Sequence, residues 1–388
     1  MVCLFAFALW DRQQRRLYLG RDRLGEKPLY YGWRGKTFFF ASELKAIKAH
    51  PHFQAEINQD ALALYLRHSY IPAPYSIYQG IYKLPPAHLL TIKPDSATAE
   101  PVSYWSAQLA AESGIANPFT GSETEVIAAL DPLLREAVGL RMVADVPLGA
   151  FLSGGIDSST IVALMQAQSR QPVKTFSIGF YEESYNEAQH AKAVAQHLGT
   201  DHTELYVTSQ EAMGVIPRLP HLYDEPFSDS SQIPTFLVSQ LARQHVTVSL
   251  SGDGGDELFG SYNRYFRGDH IWRQKHKGKM PATMRQVAAR GLSAIAPQSG
   301  NRGFSRLSPV LPNKLKKPEE KLHALAQRLS TNPETLYRDL VSHWKEPETV
   351  VRNSSEPPTA FSDPRYSGRV ARFHPGSDVP RCDHLSSR

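Results

Sequence analysis

Leu148-Gly-Ala-Phe-Leu152 followed by Ser153-Gly-Gly-Ile-Asp-Ser-Ser159 decides how the chain folds. A short apolar run, a serine, two glycines and helix-forming residues through Gln168 predict a strand, a tight turn and a helix, in that order. Gly154 and Gly155 let the backbone turn back sharply and bring successive amides close to an anion. The helix expected over Ser158 to Gln168 presents free N–H groups and the positive end of its dipole. Ser153, Ser158 and Ser159 add hydroxyl donors. These features predict a phosphate cradle. It is not the Walker pattern, since no Gly-Lys-Ser/Thr follows, and the lysine that clamps β- and γ-phosphates is missing. Ordinary γ-phosphoryl transfer is therefore disfavoured. A plain βα turn with serine caps is the alternative, and the strand before and helix after weigh against it.

On both sides of this segment, strands alternate with helices. Val126, Leu130, Leu133, Leu134, Ala137, Val138 and Leu140 recur at helical spacing. Beyond the cradle come a strand over Val173 to Phe180, a helix over Asn186 to Leu198 and a strand over His202 to Val207. A helix around Ile233 to Gln244 leads into a strand over Val246 to Leu250. That alternation implies a doubly wound parallel sheet. Directly after the last strand stands Ser251-Gly-Asp-Gly-Gly-Asp-Glu257. Asp253, Asp256 and Glu257, on a loop that permits close backbone approach, suit Mg²⁺ held through oxygen beside a polyphosphate. Capping of a helix that begins near Leu258 is a compatible role for Asp256 and Glu257. Both loops follow strands, on the side where open α/β sheets bind ligands.

Residues 1 to about 105 are β-rich instead. Leu4 to Trp10 reads as a buried strand, and Arg16 to Gly20 and Thr37 to Ala41 as short strands, with Gly32 and Gly35 at a turn. Helical pattern enters at Asn58, and the proline-rich stretch Ile71 to Pro86 is expected to be an extended connector. Small and polar residues from Ala107 to Glu123 mark a domain boundary. From about residue 346 the chain is polar and rich in Pro, Ser and Arg, which predicts a disordered tail. No internal repeat is present.

The 388 residues suffice for two domains with cores of their own. Cys3 and Cys382, at opposite ends, give no disulfide framework and fit a reducing compartment. Val2 to Trp10 has neither a basic lead-in nor a small-residue cleavage site, so it is not expected to act as a signal peptide. No apolar run approaches the ~20 residues of a membrane helix. A soluble, cytoplasmic protein with no membrane partner is expected. The net charge is +5, and Lys and Arg dominate between Arg267 and Arg328 against Asp269, Glu319 and Glu320 alone. Without an aromatic-basic motif this predicts solvated helix faces and no nucleic-acid partner. His374, Cys382 and His384 fit no familiar zinc spacing.

The motif Ser-Gly-Gly-x-Asp-Ser resembles that of the ATP-pyrophosphatases, which cleave ATP between its α and β phosphates to adenylate a carboxylate. Leu250 to Gly260, Asp145-Val-Pro-Leu-Gly149 and Leu222-Tyr-Asp-Glu-Pro-Phe-Ser-Asp-Ser-Ser231 narrow the resemblance to the asparagine synthase family. Arg21-Asp-Arg-Leu-Gly-Glu-Lys-Pro-Leu-Tyr-Tyr31 and Ala41-Ser-Glu-Leu-Lys45 resemble the second half of that family's glutaminase domain. The implied fold class is α/β. A doubly wound parallel sheet (ATP-pyrophosphatase, adenine nucleotide alpha-hydrolase-like) would be preceded by a partial α+β class II glutaminase domain of the Ntn type. The implied domains are 1–105, a partial glutamine amidotransferase; 120–345, the synthase; and 346–388, the tail.

The resemblance further implies that Ser153, Gly154, Gly155, Asp157 and Ser158 hold pyrophosphate, with Asp157 and Asp256 at Mg²⁺. Leu152, Ile178, Ser251 and Gly252 match positions that hold the adenosine part of ATP. Asp253 matches an acidic position beside the reacting carboxylate. The implied partners are aspartate, ATP and ammonia, with glutamine as nitrogen donor in the intact family. A homodimer is carried as an open alternative. The family's glutaminase nucleophile follows the initiator methionine directly, whereas here the order is Met1-Val2-Cys3-Leu4. Cys3 is therefore expected to be a small apolar strand residue, and the chain to lack the nucleophile. A carboxyl-terminal lysine segment of the family is also unmatched, which suggests a fragment. Other acceptors, such as a sugar uronic acid, and a catalytically dead nucleotide binder remain as alternatives.

Overall fold

Tyr30, Gly32, Phe38, Phe39 and their neighbours show how the amino-terminal layers arise. The computed structural model describes residues 4–94, 99–181, 187–262, 333–360 and 362–363. It divides into one unit of residues 1–260 with 346–357, and another of 261–345 with 358–388. In the first unit, strands β1 (Ala6–Asp11), β2 (Arg16–Arg21), β6 (His88–Ile92) and β7 (Val102–Ser103) form one antiparallel sheet in the order β1-β2-β6-β7. Strands β3 (Tyr30–Arg34), β4 (Thr37–Ala41) and β5 (Ile81–Lys83) form a second, ordered β4-β3-β5. Successive side chains of a strand point to opposite faces. Phe38 accordingly joins Leu19, Leu29, Leu84 and Leu90 between the two sheets. Phe39 instead packs with Leu44 and Ile47 of helix α1 (Leu44–Lys48) and Ala61 of helix α2 (Gln59–His68).

Two expectations for this region change. The first strand is not buried: β1 is an edge of its sheet, and Phe7, Leu9 and Trp10 are exposed, Leu9 by 57%. The stretch Ile71 to Pro86 is more than a connector, because β5 pairs Tyr30↔Lys83 through Gly32↔Ile81. Helix α2 begins where expected, with the Asn58 side chain accepting from the amides of Asp60 and Ala61. In the boundary region, Ser106 caps an additional helix, α3 (Ala107–Ala116), which buries no residue.

The alternating half follows the sequence closely. Helix α4 (Glu123–Met142) starts with a capping box between Ser122 and Glu125. It is followed by β8 (Leu148–Phe151), α5 (Ile156–Gln168), β9 (Lys174–Phe180), α6 (Ala188–Leu198), β10 (Asp201–Val207), α7 (Ser209–Val215), α8 (Leu219–Leu222), α9 (Gln232–Ala242), β11 (Val248–Leu250) and α10 (Gly255–Phe259). The sheet is parallel throughout, in the order β10-β9-β8-β11. Ala150 and Leu152 pack on one face with Val138 of α4, Val162 and Met165 of α5 and Ala191 of α6. Phe151 and Phe176 pack on the other with Val238, Leu241 and Ala242 of α9. Helices cover both faces, so the sheet is doubly wound.

The expectation of a structureless tail from residue 346 fails for its first dozen residues. Pro347–Thr349 form a short 3-10 turn and Val351 is buried. The Ser355 amide donates to Asp60 Oδ1 (2.8 Å), and the Glu356 carboxylate forms a two-pronged ion pair with the buried Arg67 guanidinium. A long-range charge pair anchors this segment, which has no apolar period of its own. In the second unit, helix α11 (Pro333–Leu340) accepts the Ser342 hydroxyl at its Arg338 carbonyl (2.6 Å). Cys3, the basic stretch Arg267 to Arg328, His374, Cys382 and His384 lie outside the described residues. No helix among the described residues is long and apolar enough to cross a membrane.

Candidate active site

From β8 the chain steps outward to β9 and β10, then returns to the opposite side of β8 as β11. The order therefore reverses between β8 and β11. Loops leaving the carboxyl ends of such a strand pair flank the crevice where open α/β sheets bind ligands. Here those loops are Leu152 to Gly155 and Ser251 to Gly254, the two glycine-rich segments.

The first loop leaves the sheet after the Leu152 amide donates to the Phe176 carbonyl (2.9 Å). It turns at Gly154, whose φ of +81° is in the left-handed region that favours glycine. A Cβ at 154 would lie 2.6 Å from the Ala191 amide nitrogen and 2.8 Å from the His190 carbonyl carbon, so the backbone of α6 closes over the turn. Ser153 Oγ and Ser158 Oγ are 2.9 Å apart, the Ser153 amide donates to Ser158 Oγ (3.2 Å), and the Gly155 amide donates to Ser153 Oγ (3.3 Å). These bonds tie the two ends of the turn together. Helix α5 then starts with Gly155 as N-cap and no side-chain cap. The amides of its first turn have no helical carbonyl to serve and sit at the positive end of the dipole. An anion fits that end.

In the second loop the Ser251 hydroxyl donates to Asp253 Oδ2 (2.9 Å), and the Gly255 amide donates to the Gly252 carbonyl (3.2 Å). Asp253 and Glu257 are exposed, while Asp256 is half-buried in the first turn of α10. The two loops touch. A Cβ at Gly252 would lie 2.7 Å from the Ser158 amide nitrogen, and one at Gly255 would lie 2.6 Å from Asp157 Cγ. The Asp157 carboxylate thus lies against the second loop. Ser153, Gly154, Gly155, Asp157, Ser158 and Gly252 are brought together, with Ser251 and Asp253 adjoining along the chain.

Two of the expected residues lie among apolar side chains. Leu152 is 1% exposed and belongs to the core beside α5 and α6, with its amide on the Phe176 carbonyl. The Ile178 side chain packs with Val207, Ile233, Phe236 and Leu237. Among the described residues no group of three or more His, Cys, Asp or Glu side chains is arranged to hold a metal ion.

Packing of Ile233 and Phe236 against Ile178, Phe180 and Val207 puts the start of α9 at the carboxyl ends of β9 and β10. The preceding segment, 223–231, thus leads into α9 at the carboxyl-terminal edge of the sheet, the edge that carries both glycine-rich loops. Within it Asp224 Oδ2 accepts from the Leu44 amide (2.6 Å), and Glu225 pairs with Lys83 Nζ (2.5 Å). Burial pushes the Glu225 carboxyl above its ordinary range, although Lys83 opposes the shift. Burial also lowers the Lys83 ammonium and raises the Tyr30 phenol beside them. Sequence reasoning did not assign these contacts. Their one local signal is an acidic pair set among aromatic and apolar residues in Leu222-Tyr-Asp-Glu-Pro-Phe227.

Comparison with known proteins agrees with this geometry. The profile of the asparagine synthase family matches residues 129–386, and that of the glutamine amidotransferase domain matches residues 1–105. "Putative asparagine synthetase (glutamine-hydrolyzing) 2" of Methanocaldococcus jannaschii is 39% identical over 290 residues, covering 74% of this chain and 54% of the relative. Asparagine synthetase (glutamine-hydrolyzing) 1 of Bacillus subtilis is 35% identical over 262 residues, covering 68% and 40%. A Gibberella zeae protein named amidase chry2 is 27% identical over 400 residues, covering 96% and 55%. The chain spans about half the length of these relatives or less. With a matching profile over most of its length and the two loops joined at the sheet's switch point, this chain belongs to the asparagine synthase family.

Proposed function

We propose that the chain carries the ATP-dependent half of an asparagine synthase, a carbon–nitrogen ligase that converts aspartate, ATP and an amide nitrogen to asparagine, AMP and pyrophosphate. The observation that carries it is the contact of Gly252 and Gly255 with Ser158 and Asp157, which joins an anion cradle to an acidic loop. An oxygen of the acceptor carboxylate attacks the α-phosphorus, and pyrophosphate leaves. Ammonia then attacks the activated acyl carbon, and AMP leaves with that oxygen. Ser153, Gly154, Gly155 and Ser158 bind the departing pyrophosphate through hydroxyls and helix-end amides. Leu152, Ile178, Ser251 and Gly252 would flank the adenosine, and Asp253 would stand beside the acceptor. The protein contributes positioning and fixed dipoles, the main sources of rate in such transfers.

Asp157 and Asp256 would hold Mg²⁺. One or two carboxylates beside phosphate oxygens are the usual Mg²⁺ environment. Bound there, the ion supplies neutralising charge. Glutamine would feed ammonia through the amino-terminal domain in the complete family arrangement, and the setting would be the cytoplasm, with a homodimer as assembly. The test is steady-state pyrophosphate release from ATP with aspartate and ammonia. AMP formed without pyrophosphate would overturn α/β cleavage.

A second reading keeps the adenylation chemistry and makes the acceptor another carboxylate; a relative named an amidase and not an asparagine synthetase matches 96% of the chain. A panel of carboxylates in the same assay, including a sugar uronic acid, separates the two by the acceptor with the highest kcat/KM. Release with none of them would mean nucleotide binding without turnover.

A further inference from the structure

Helix α1 begins at Leu44, and its own N-cap residue, Glu43, supplies no side-chain cap. The missing acceptor comes from 180 residues away: Asp224 Oδ2 takes the Leu44 amide, and Asp224 Oδ1 lies 3.3 Å from Lys45 Nζ. The neighbouring Glu225 uses both carboxylate oxygens, one on Lys83 Nζ (2.5 Å) and one on the Ile77 amide (2.8 Å). Lys83 itself donates to the Ile71 carbonyl (2.6 Å). Three residues on, the Ser228 amide donates to the Ser69 carbonyl (2.8 Å), and Ser228 Oγ is 2.6 Å from the Tyr65 hydroxyl. Each of these partners belongs to the amino-terminal layers. The Glu225 and Lys83 side chains are only 10% and 16% exposed, so their ion pair is weakly screened by solvent.

We propose that Asp224 and Glu225 are positioning residues that pin segment 223–231 to the amino-terminal layers and so set the geometry with which the acceptor carboxylate is bound. This deepens, and rests on, the ligase function proposed above. The physical basis is the position of the segment. Its far end runs into α9, whose first turn packs on Ile178 and Phe180 at the carboxyl ends of the strands. Its near end is held by the charges just described. A loop fixed at both ends holds its side chains in one arrangement at the ligand-binding edge of the sheet, and binding depends steeply on such placement. The amino-terminal domain then contributes to acceptor binding through Lys83 and α1, separately from any role in nitrogen supply.

The experiment compares the wild-type chain with the double variant Lys83→Met/Glu225→Gln, which removes both charges and leaves no lone buried ion. Two measurements are made on each protein. Hydrogen exchange is followed at residues 223–231 and at the cradle, 152–158. Initial rates of pyrophosphate release are measured with ammonia while aspartate and ATP are varied separately. The expected result is exchange at 223–231 faster by about tenfold or more, unchanged cradle exchange, and an aspartate KM raised about tenfold or more with the ATP KM held. A purely structural role would lower Tm without separating the two KM values. Unchanged exchange at 223–231 overturns the pin. Faster exchange with an unmoved aspartate KM overturns the acceptor role. If the wild-type chain releases no pyrophosphate with any carboxylate, the ligase function fails and the acceptor role with it, while exchange still decides whether the pin exists.

Discussion

Replacing Gly252 by alanine probes the junction of the two loops directly. The added Cβ would stand 2.7 Å from the Ser158 amide nitrogen and 2.9 Å from the Asp157 carbonyl carbon. Both are backbone atoms of α5, which cannot swing aside as a side-chain end can. To reach ordinary contact at about 3.4 Å, the loops must part by about 0.7 Å. Overpacking of this kind costs about 1–3 kcal/mol in stability. The displacement falls on the amides proposed to face phosphate, so ATP affinity is expected to fall about 10- to 100-fold, or about 1.4–2.8 kcal/mol. Gly199→Ala is the control. Gly199 has φ +70° at the end of α6 with no atom within 4 Å, so its substitution costs about 1–2 kcal/mol through backbone strain alone. Calorimetric titration of ATP with Mg²⁺, beside urea unfolding of all three proteins, separates the effects. Wild-type affinity in Gly252→Ala, or a loss no larger than in Gly199→Ala, would refute the proposed loop junction.

Other outcomes follow from buried charges. Lys83→Met alone leaves Glu225 in a largely enclosed site and should cost about 3–5 kcal/mol by urea unfolding, more than the double variant with Glu225→Gln. Glu356→Ala should cost about 3 kcal/mol, because it removes the two-pronged partner of Arg67, which is 4% exposed. Asp22 gives a pH signature. Burial raises its carboxyl, but the amides of Lys27, Glu26, Gly25 and Phe5 outweigh this and hold it below its ordinary 3.8. A carboxyl lowered on folding stabilises the native state above its unfolded value, and that contribution is lost as pH falls through the lowered folded value. The stability gap between wild type and Asp22→Asn should therefore be widest near neutral pH and shrink below about pH 3.8 in unfolding curves taken across pH.

What the sequence disclosed depends on how local each cause is. The strands from Leu148 to Leu250 were legible because their apolar runs end at polar residues or glycines, and each is followed or preceded by a helix with its own period. Gly154 was legible too, since a tight turn before a helix requires its positive φ. The exposure of β1 was not, because an apolar run is the same string in an edge strand as in a central one. Ordering of 346–357 depends on Arg67 and Asp60, almost 300 positions earlier in the chain. The cap that Asp224 gives to α1 spans 180 positions. Such contacts leave no periodic signal. The burial of Leu152 follows from strand parity, which the motif alone does not display.

The central claim is that a carboxylate oxygen displaces pyrophosphate from the α-phosphorus of ATP. Aspartate labelled with ¹⁸O in its side-chain carboxylate, incubated with ATP, Mg²⁺ and ammonia, tests it in one measurement by mass spectrometry of the nucleotide product. The mechanism predicts AMP carrying one ¹⁸O, with pyrophosphate unlabelled. ADP with ¹⁸O in inorganic phosphate, or AMP without label, would contradict it.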